Sequence, residues 1–183
     1  LAGSRWAFME LADVVFPRGG GGPEGLVAQA VVARPLATTA TRWGTALRGS
    51  FSTLYSRRFV GADLQRWDDP QTLVAEDLPW EYRRQSWSLE GLVVRSFGRA
   101  LKTNLSLGAG VERRRHWLPG GLSSGAQRQR YAEWAYIPAE QKANYLIGRL
   151  HHFANRHEVF RDLDSYAISE DRRMGHDLDL VVR

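Results

Sequence analysis

RRQSWSLEGLVVRSFGRALKTNLSLGAGVERRR, residues 83–115, reads as two long amphipathic strands joined by a tight turn. In the first arm Trp87, Leu89, Gly91 and Val93 share one face, and Ser86, Ser88 and Glu90 share the other. In the second, Thr103, Leu105, Leu107, Ala109 and Val111 alternate with Lys102, Asn104, Ser106, Gly108, Gly110 and Glu112. Successive side chains of a strand point to opposite faces, so the pattern has one apolar and one polar side. Gly98–Arg99–Ala100–Leu101 can close the hairpin. Both arms exceed the roughly 5–6 residues usual in soluble strands. They match the roughly 9–11 tilted residues that carry a strand across a bilayer. The expectation is therefore a transmembrane β-barrel wall.

Outward from this hairpin the chain supplies further strands. Arg5 to Phe16 is apolar and aromatic, with imperfect alternation, and predicts a strand, although Met9–Glu10–Leu11–Ala12 would also suit a helix. Pro17 to Gly25 is a glycine-rich loop; no G-K-[ST] follows it and no G-x-G-x-x-G opens a helix, so it predicts no phosphate cradle. Leu26 to Ala33 predicts a second strand, ended by Arg34–Pro35. In the third, Trp43, Thr45, Leu47, Phe51, Tyr55 and Phe59 lie on one face, against Arg42, Arg48, Ser50, Ser52 and Ser56 on the other. Aromatic residues near both ends of a strand suit the girdles of a membrane barrel.

Arg58 to Tyr82 and His116 to Ala139 read as long polar connections, with a short amphipathic helix over Ala126 to Tyr136. Asn144 to Ala154 predicts a strand with less distinct faces, because Leu146 and Leu150 oppose Tyr145, Ile147 and Phe153. Asn155–Arg156–His157 reads as a tight link to a strand over Val159 to Ser169, interrupted by Asp162 and Asp164. Asp171 to His176 turns the chain into a last strand, where Leu178, Leu180 and Val182 alternate with Asp177 and Asp179. The connections thus alternate long and short, with a medium one near Gly175. An up-and-down barrel, with short turns on one side and long loops on the other, produces that alternation. The prediction is all-β: about eight antiparallel strands in one domain over residues 1–183, forming an up-and-down transmembrane barrel or a consecutive set of its strands. The last strand runs to Arg183, which favours a piece of a larger barrel.

Composition permits this. Hydrophobic content is 43% and mean hydropathy is -0.39. Those values look soluble, but a barrel's inward residues are polar and dilute its apolar ones. No run reaches the roughly 18 apolar residues of a spanning helix, which excludes a helical membrane protein. The net charge is +5, carried almost wholly by arginine, since Lys102 and Lys142 are the only lysines. The arginines are scattered, so nucleic acid is not the expected partner. The absence of cysteine excludes disulfide staples, thiolate metal sites and cysteine nucleophiles.

The candidate sites are weak as chemistry. His151 and His152 are adjacent, so on a strand they diverge and, with His157, do not make a metal site. Asp68–Asp69 and Asp162/Asp164 lack calcium-loop spacing and read as solvated loops. No nucleophile with a nearby base stands out, and the expectation is a non-enzymatic protein without metal or cofactor. Trp43, Leu47, Phe51, Tyr55, Trp87, Leu89, Val93, Leu105, Leu107 and Val111 are expected to face lipid. Arg42, Arg48, Glu90, Asn104 and Glu112 are expected to face a lumen, and Arg113–Arg114–Arg115 to contact lipid head groups. Arg95 interrupts the apolar face near the turn, where it could snorkel.

Leu78–Pro79–Trp80–Glu81–Tyr82–Arg83–Arg84, the following W-S-L-E-G-L-V-V-R-S-F-G-R, L-S-L-G-A-G and Tyr166 to Gly175 (Y-A-I-S-E-D-R-R-M-G) together resemble Gram-negative outer-membrane barrels. The resemblance is to bacterial surface-antigen barrels of the BamA-like superfamily, barrel portion only. It implies residence in the bacterial outer membrane, lipid as partner, and further strands of the same barrel or a partner protein. That family carries V-R-G-[FY] on an inward loop. Here Val94–Arg95–Ser96–Phe97 has serine for glycine and ends a strand, so the resemblance does not carry protein-insertion activity. The expected roles are transport, secretion or structure. The alternative is a soluble all-β ligand-binding module, a lipocalin-like barrel or sandwich, in which the apolar faces would pack inward.

Overall fold

A computed structural model describes residues 5–17, 19–38, 40–72, 77–154, 156–161 and 169–183. Its strands are β1 (Ala7–Val15), β2 (Gly25–Arg34), β3 (Trp43–Arg57), β4 (Phe59–Val60), β5 (Asp63–Leu64), β6 (Arg66–Trp67), β7 (Leu78–Pro79), β8 (Glu81–Phe97), β9 (Leu101–Trp117), β10 (Gln141–Ala154), β11 (Arg156–Arg161), β12 (Ser169–Met174) and β13 (Asp177–Val182). A single helix, α1 (Gly125–Trp134), lies between β9 and β10 among the described residues. Seven strands make one sheet in the order β1-β2-β3-β8-β9-β10-β13, every neighbouring pair antiparallel. The sheet is an up-and-down meander. It is open among the described residues, with β1 and β13 as its edges.

The hairpin at its centre is the one the alternation predicts. β8 and β9 pair from Arg83↔Trp117 to Phe97↔Thr103. Gly98 makes the turn possible: its φ is 78°, and a Cβ there would lie 1.9 Å from the Leu101 carbonyl oxygen. Only glycine fits a left-handed position crowded by backbone.

Two predictions about the far end are corrected. Arg156 and His157, expected in a tight link, instead open β11. β10 and β13 pair from Gly148↔Val182 to Phe153↔Asp177, and the Ala154 amide donates to the His176 carbonyl at 3.0 Å. Beyond that, β11 and β12 continue in the same register, from Arg156↔Met174 to Arg161↔Ser169. The polar sequence reads as a turn locally, but Arg156 and His157 pair with Met174 and Arg173 of the returning chain. Of the expected strand over 159–169, residues 159–161 lie in β11 and Ser169 opens β12, which pairs antiparallel with it, and Asp162 and Asp164 lie outside the described residues. The sheet has seven strands, not eight. Strict alternation of links fails with it: 98–100 is tight, but at the same end residues 155–176 separate β10 from β13.

The described parts of the two long connections, 58–72 with 77–80 and 118–140, are also more ordered than polar loops. Together they form a small cap with its own core of Trp67, Leu78, Leu122, Tyr131 and Ala135, against which Trp80, Leu118, Trp134 and Ile137 pack. Ser124 caps α1, its Oγ accepting from the Gln127 amide at 3.1 Å. Gln127 is buried, and its Oε1 accepts from the Ser123 amide at 2.6 Å. Tyr131 is fully buried between Trp67 and Trp134, with ring centroids at 5.3 and 5.7 Å. Its hydroxyl donates to the Pro79 carbonyl at 2.6 Å and accepts from the Glu81 amide at 3.1 Å. That ties the cap to the root of β8.

Asp69 corrects a further prediction. Its side chain has no exposed surface and forms a two-pronged pair with Arg130, so it is not a solvated loop residue. The Arg130 hydrogen bonds hold its carboxyl below the ordinary value of 3.8. A carboxyl so depressed contributes stability that is fully present above the ordinary value and is lost as pH falls through the folded one. The cap is therefore expected to loosen on acidification below pH 3.8. Near-ultraviolet dichroism of its tryptophans should show a transition there that Asp69→Asn lacks. An identical profile in both proteins would remove Asp69 as its origin.

Candidate functional site

Strand pairing decides which side chains share a face. Leu47 stands opposite Gly91 on one side and Val32 on the other, and the line runs on to Ala109, Leu146 and, at the first edge, Phe8. Two repeats of the pleat away, Trp43, Leu105, Leu150 and Leu180 fall on the same face. All ten residues expected to face lipid, Trp43, Leu47, Phe51, Tyr55, Trp87, Leu89, Val93, Leu105, Leu107 and Val111, lie together on it. The pairing extends this face to Phe8, Val14, Leu26 and Val32 on one flank and Leu178, Leu180 and Val182 on the other. For β10 it resolves an ambiguity: Leu146 and Leu150 join the apolar face, while Tyr145 and Ile147 fall opposite.

Among the described residues this apolar face is uncovered. Leu107 is 62% exposed and Leu146 79%. The buried apolar cluster among the described residues is that of the cap, off the sheet. Aromatic side chains mark both limits of the face, with Trp43 and Phe97 at the tight-turn end and Phe51, Trp87, Tyr55 and Trp117 toward the cap. Glu10, Arg34, Arg95 and Asn144 interrupt it. Arg95 lays its guanidinium over the Trp43 ring, 4.5 Å from the centroid, which shields part of its charge with an aromatic face.

The opposite face is polar and better shielded. Arg48, Glu90, Asn104 and Glu112 share it, and Ser96, Lys102 and Ser106 on it are buried. Burial therefore alternates in the reverse sense to a soluble sheet, in which the apolar side is covered. Ser50 bonds Ser88 and Ser52 bonds Ser86, both at 2.8 Å. Tyr145 reaches across β9 to Glu90 at 3.4 Å, its ring over Gly110, where a Cβ would come within 2.4 Å of it. Arg149 forks onto Asp179, and His151 Nε2 lies 2.7 Å from Asp177 Oδ1. Charges of both signs thus meet within the face. Arg42 stands apart from the set, exposed and just ahead of β3, its carbonyl accepting from the Ser96 amide at 2.8 Å.

Arg113–Arg114–Arg115 is not one patch, because neighbouring residues of β9 face oppositely. Arg114 turns to the polar side and pairs with Glu112 at 2.6 Å. Arg113 and Arg115 stay on the apolar side, opposite Trp87 and Gln85. His151 and His152 diverge as expected: His152 contacts Thr103 at 2.8 Å and stacks on His176 at 4.9 Å. The side chain of His157 lies outside the described residues. Among the described residues no three histidine or acidic side chains gather as metal ligands, and no helix is long and apolar enough to cross a membrane.

Comparison with protein families, with curated proteins and with solved structures found no match.

Proposed function

We propose that the chain is a stretch of wall of a non-enzymatic outer-membrane β-barrel of the bacterial surface-antigen kind. One observation carries this reading: among the described residues a seven-stranded sheet leaves a largely apolar face uncovered, while its polar face is the better shielded and carries cross-strand hydrogen bonds. Lipid supports such a face at no loss, because each apolar side chain leaves water and the strand ladder satisfies the backbone. Trp43 to Phe51, at roughly 3.4 Å per residue and a tilt of about 40°, rises about 20 Å. That is close to the roughly 25 Å apolar band of such barrels. The polar face would line a lumen for porin-like passage, secretion or structure, with Arg48, Glu90, Asn104 and Glu112 toward it. The soluble β module needs a second layer over the apolar face, and none of the described residues provides one.

Single cysteines at Asn104, Leu105, Ser106 and Leu107, in a chain without native cysteine, test the reading with a lipid-confined reagent. Gly108 is unsuitable, since a Cβ there meets the Gly91 carbonyl oxygen at 2.4 Å. Labelling is expected at 105 and 107 and not at 104 and 106. A protein that stays in the aqueous phase with none labelled would return the soluble module.

A further inference from the structure

Toward the cap the apolar face changes character within a few residues. Trp87 faces Arg113, which in turn faces Lys142 on β10. One step outward Gln85 faces Arg115, and beyond it Tyr55, Arg83 and Trp117 form one line. Four cations from three strands thereby gather at the limit of the face. Arg83 is held there by its Nε, which donates to Thr53 Oγ1 at 2.8 Å. The Arg113 Nε is buried with no hydrogen-bond partner among the described residues, its guanidinium 5.8 Å from the Trp87 centroid. Arg115 pairs with Glu140 at 4.0 Å. Glu24 and Glu81 are engaged by Arg57 at 2.7 and 3.0 Å. A groove of about 460 Å³ opens beside the patch between Phe51, Tyr55, Arg83 and Trp117.

We propose that Arg83, Arg113, Arg115 and Lys142 dock the phosphate of an anionic lipid whose chains lie on the apolar face below. This rests on the wall reading above. The charge complementarity is direct: guanidinium forks match phosphate oxygens, and the adjoining surface is apolar, as a lipid but not a soluble phosphate requires. Trp87 and Trp117 flank the patch at the level where indole rings prefer the head-group region.

The test uses the full chain and vesicles of phosphatidylcholine, with or without phosphatidic acid. The triple variant Arg83→Gln, Arg113→Gln, Arg115→Gln is compared with Arg84→Gln, Arg99→Gln, Arg128→Gln, which removes equal charge elsewhere. Wild type and control are expected to favour the phosphatidic acid vesicles, and the patch variant to lose roughly fivefold of that preference per arginine. Equal preference in both variants, with all three proteins inserted in neutral vesicles, overturns the patch and leaves the wall standing. Failure of every protein to associate with neutral vesicles overturns the wall reading, and the patch with it. Abolition of the preference by free inorganic phosphate would make this a soluble-anion site and overturn docking to lipid.

Discussion

Leu47→Arg should cost the bilayer-inserted protein about 2–4 kcal/mol, the penalty of a cation on the lipid face at mid-depth. Leu47 lies midway between the aromatic limits at Trp43 and Phe51, flanked by Val32, and 49% exposed. In water that exposure makes the same change nearly neutral, within about 0.5 kcal/mol. The two environments therefore predict different magnitudes for one substitution. Urea titration of the protein in vesicles, followed by tryptophan emission, measures it. A shift smaller than about 0.5 kcal/mol would mean that this face does not meet lipid.

Tyr131→Ala should remove about 3–5 kcal/mol from the cap, the usual cost of emptying a buried aromatic site. Two components contribute: lost packing against Trp67 and Trp134, and orphaned polar groups at Pro79 and Glu81 that its hydroxyl now satisfies. Tyr131→Phe isolates the second and should cost about 1–3 kcal/mol. Because the cap core is separate from the sheet, the loss should be local. Protease should cut within 118–140 while far-ultraviolet dichroism of the sheet persists. Simultaneous loss of both signals would show that cap and sheet unfold as one unit.

The sheet was legible where side chains sort cleanly by period. Residues 83–115 and the strand from Trp43 do so, and the structure places them as paired neighbours. β10 did not sort, because Tyr145 and Ile147 are large residues on the polar face. There, Tyr145 fills the space that Gly110 leaves empty across the strand, and only pairing reveals it. The arginine run at 113–115 was legible as charge but not as geometry, since its members alternate between faces. The cap was hidden for a different reason. Its core joins Trp67 and Leu78 to Leu122 and Tyr131 from a distant connection, without periodicity in either. Asp69 and Arg130 likewise meet across 61 residues. The one available signal was the richness in tryptophan of connections that otherwise read as polar.

Antiparallel pairing throughout a meander of seven strands has a consequence in parity. Each step reverses direction, so β1 and β13 run the same way. These edges cannot meet each other as antiparallel neighbours, however strongly the sheet curls. A wall closed by antiparallel pairs alone has an even number of strands, as single-chain bacterial outer-membrane barrels do. If the sheet is the barrel wall proposed above and closes by antiparallel pairs alone, what completes it would contribute an odd number of strands, the first antiparallel to β13 and the last antiparallel to β1.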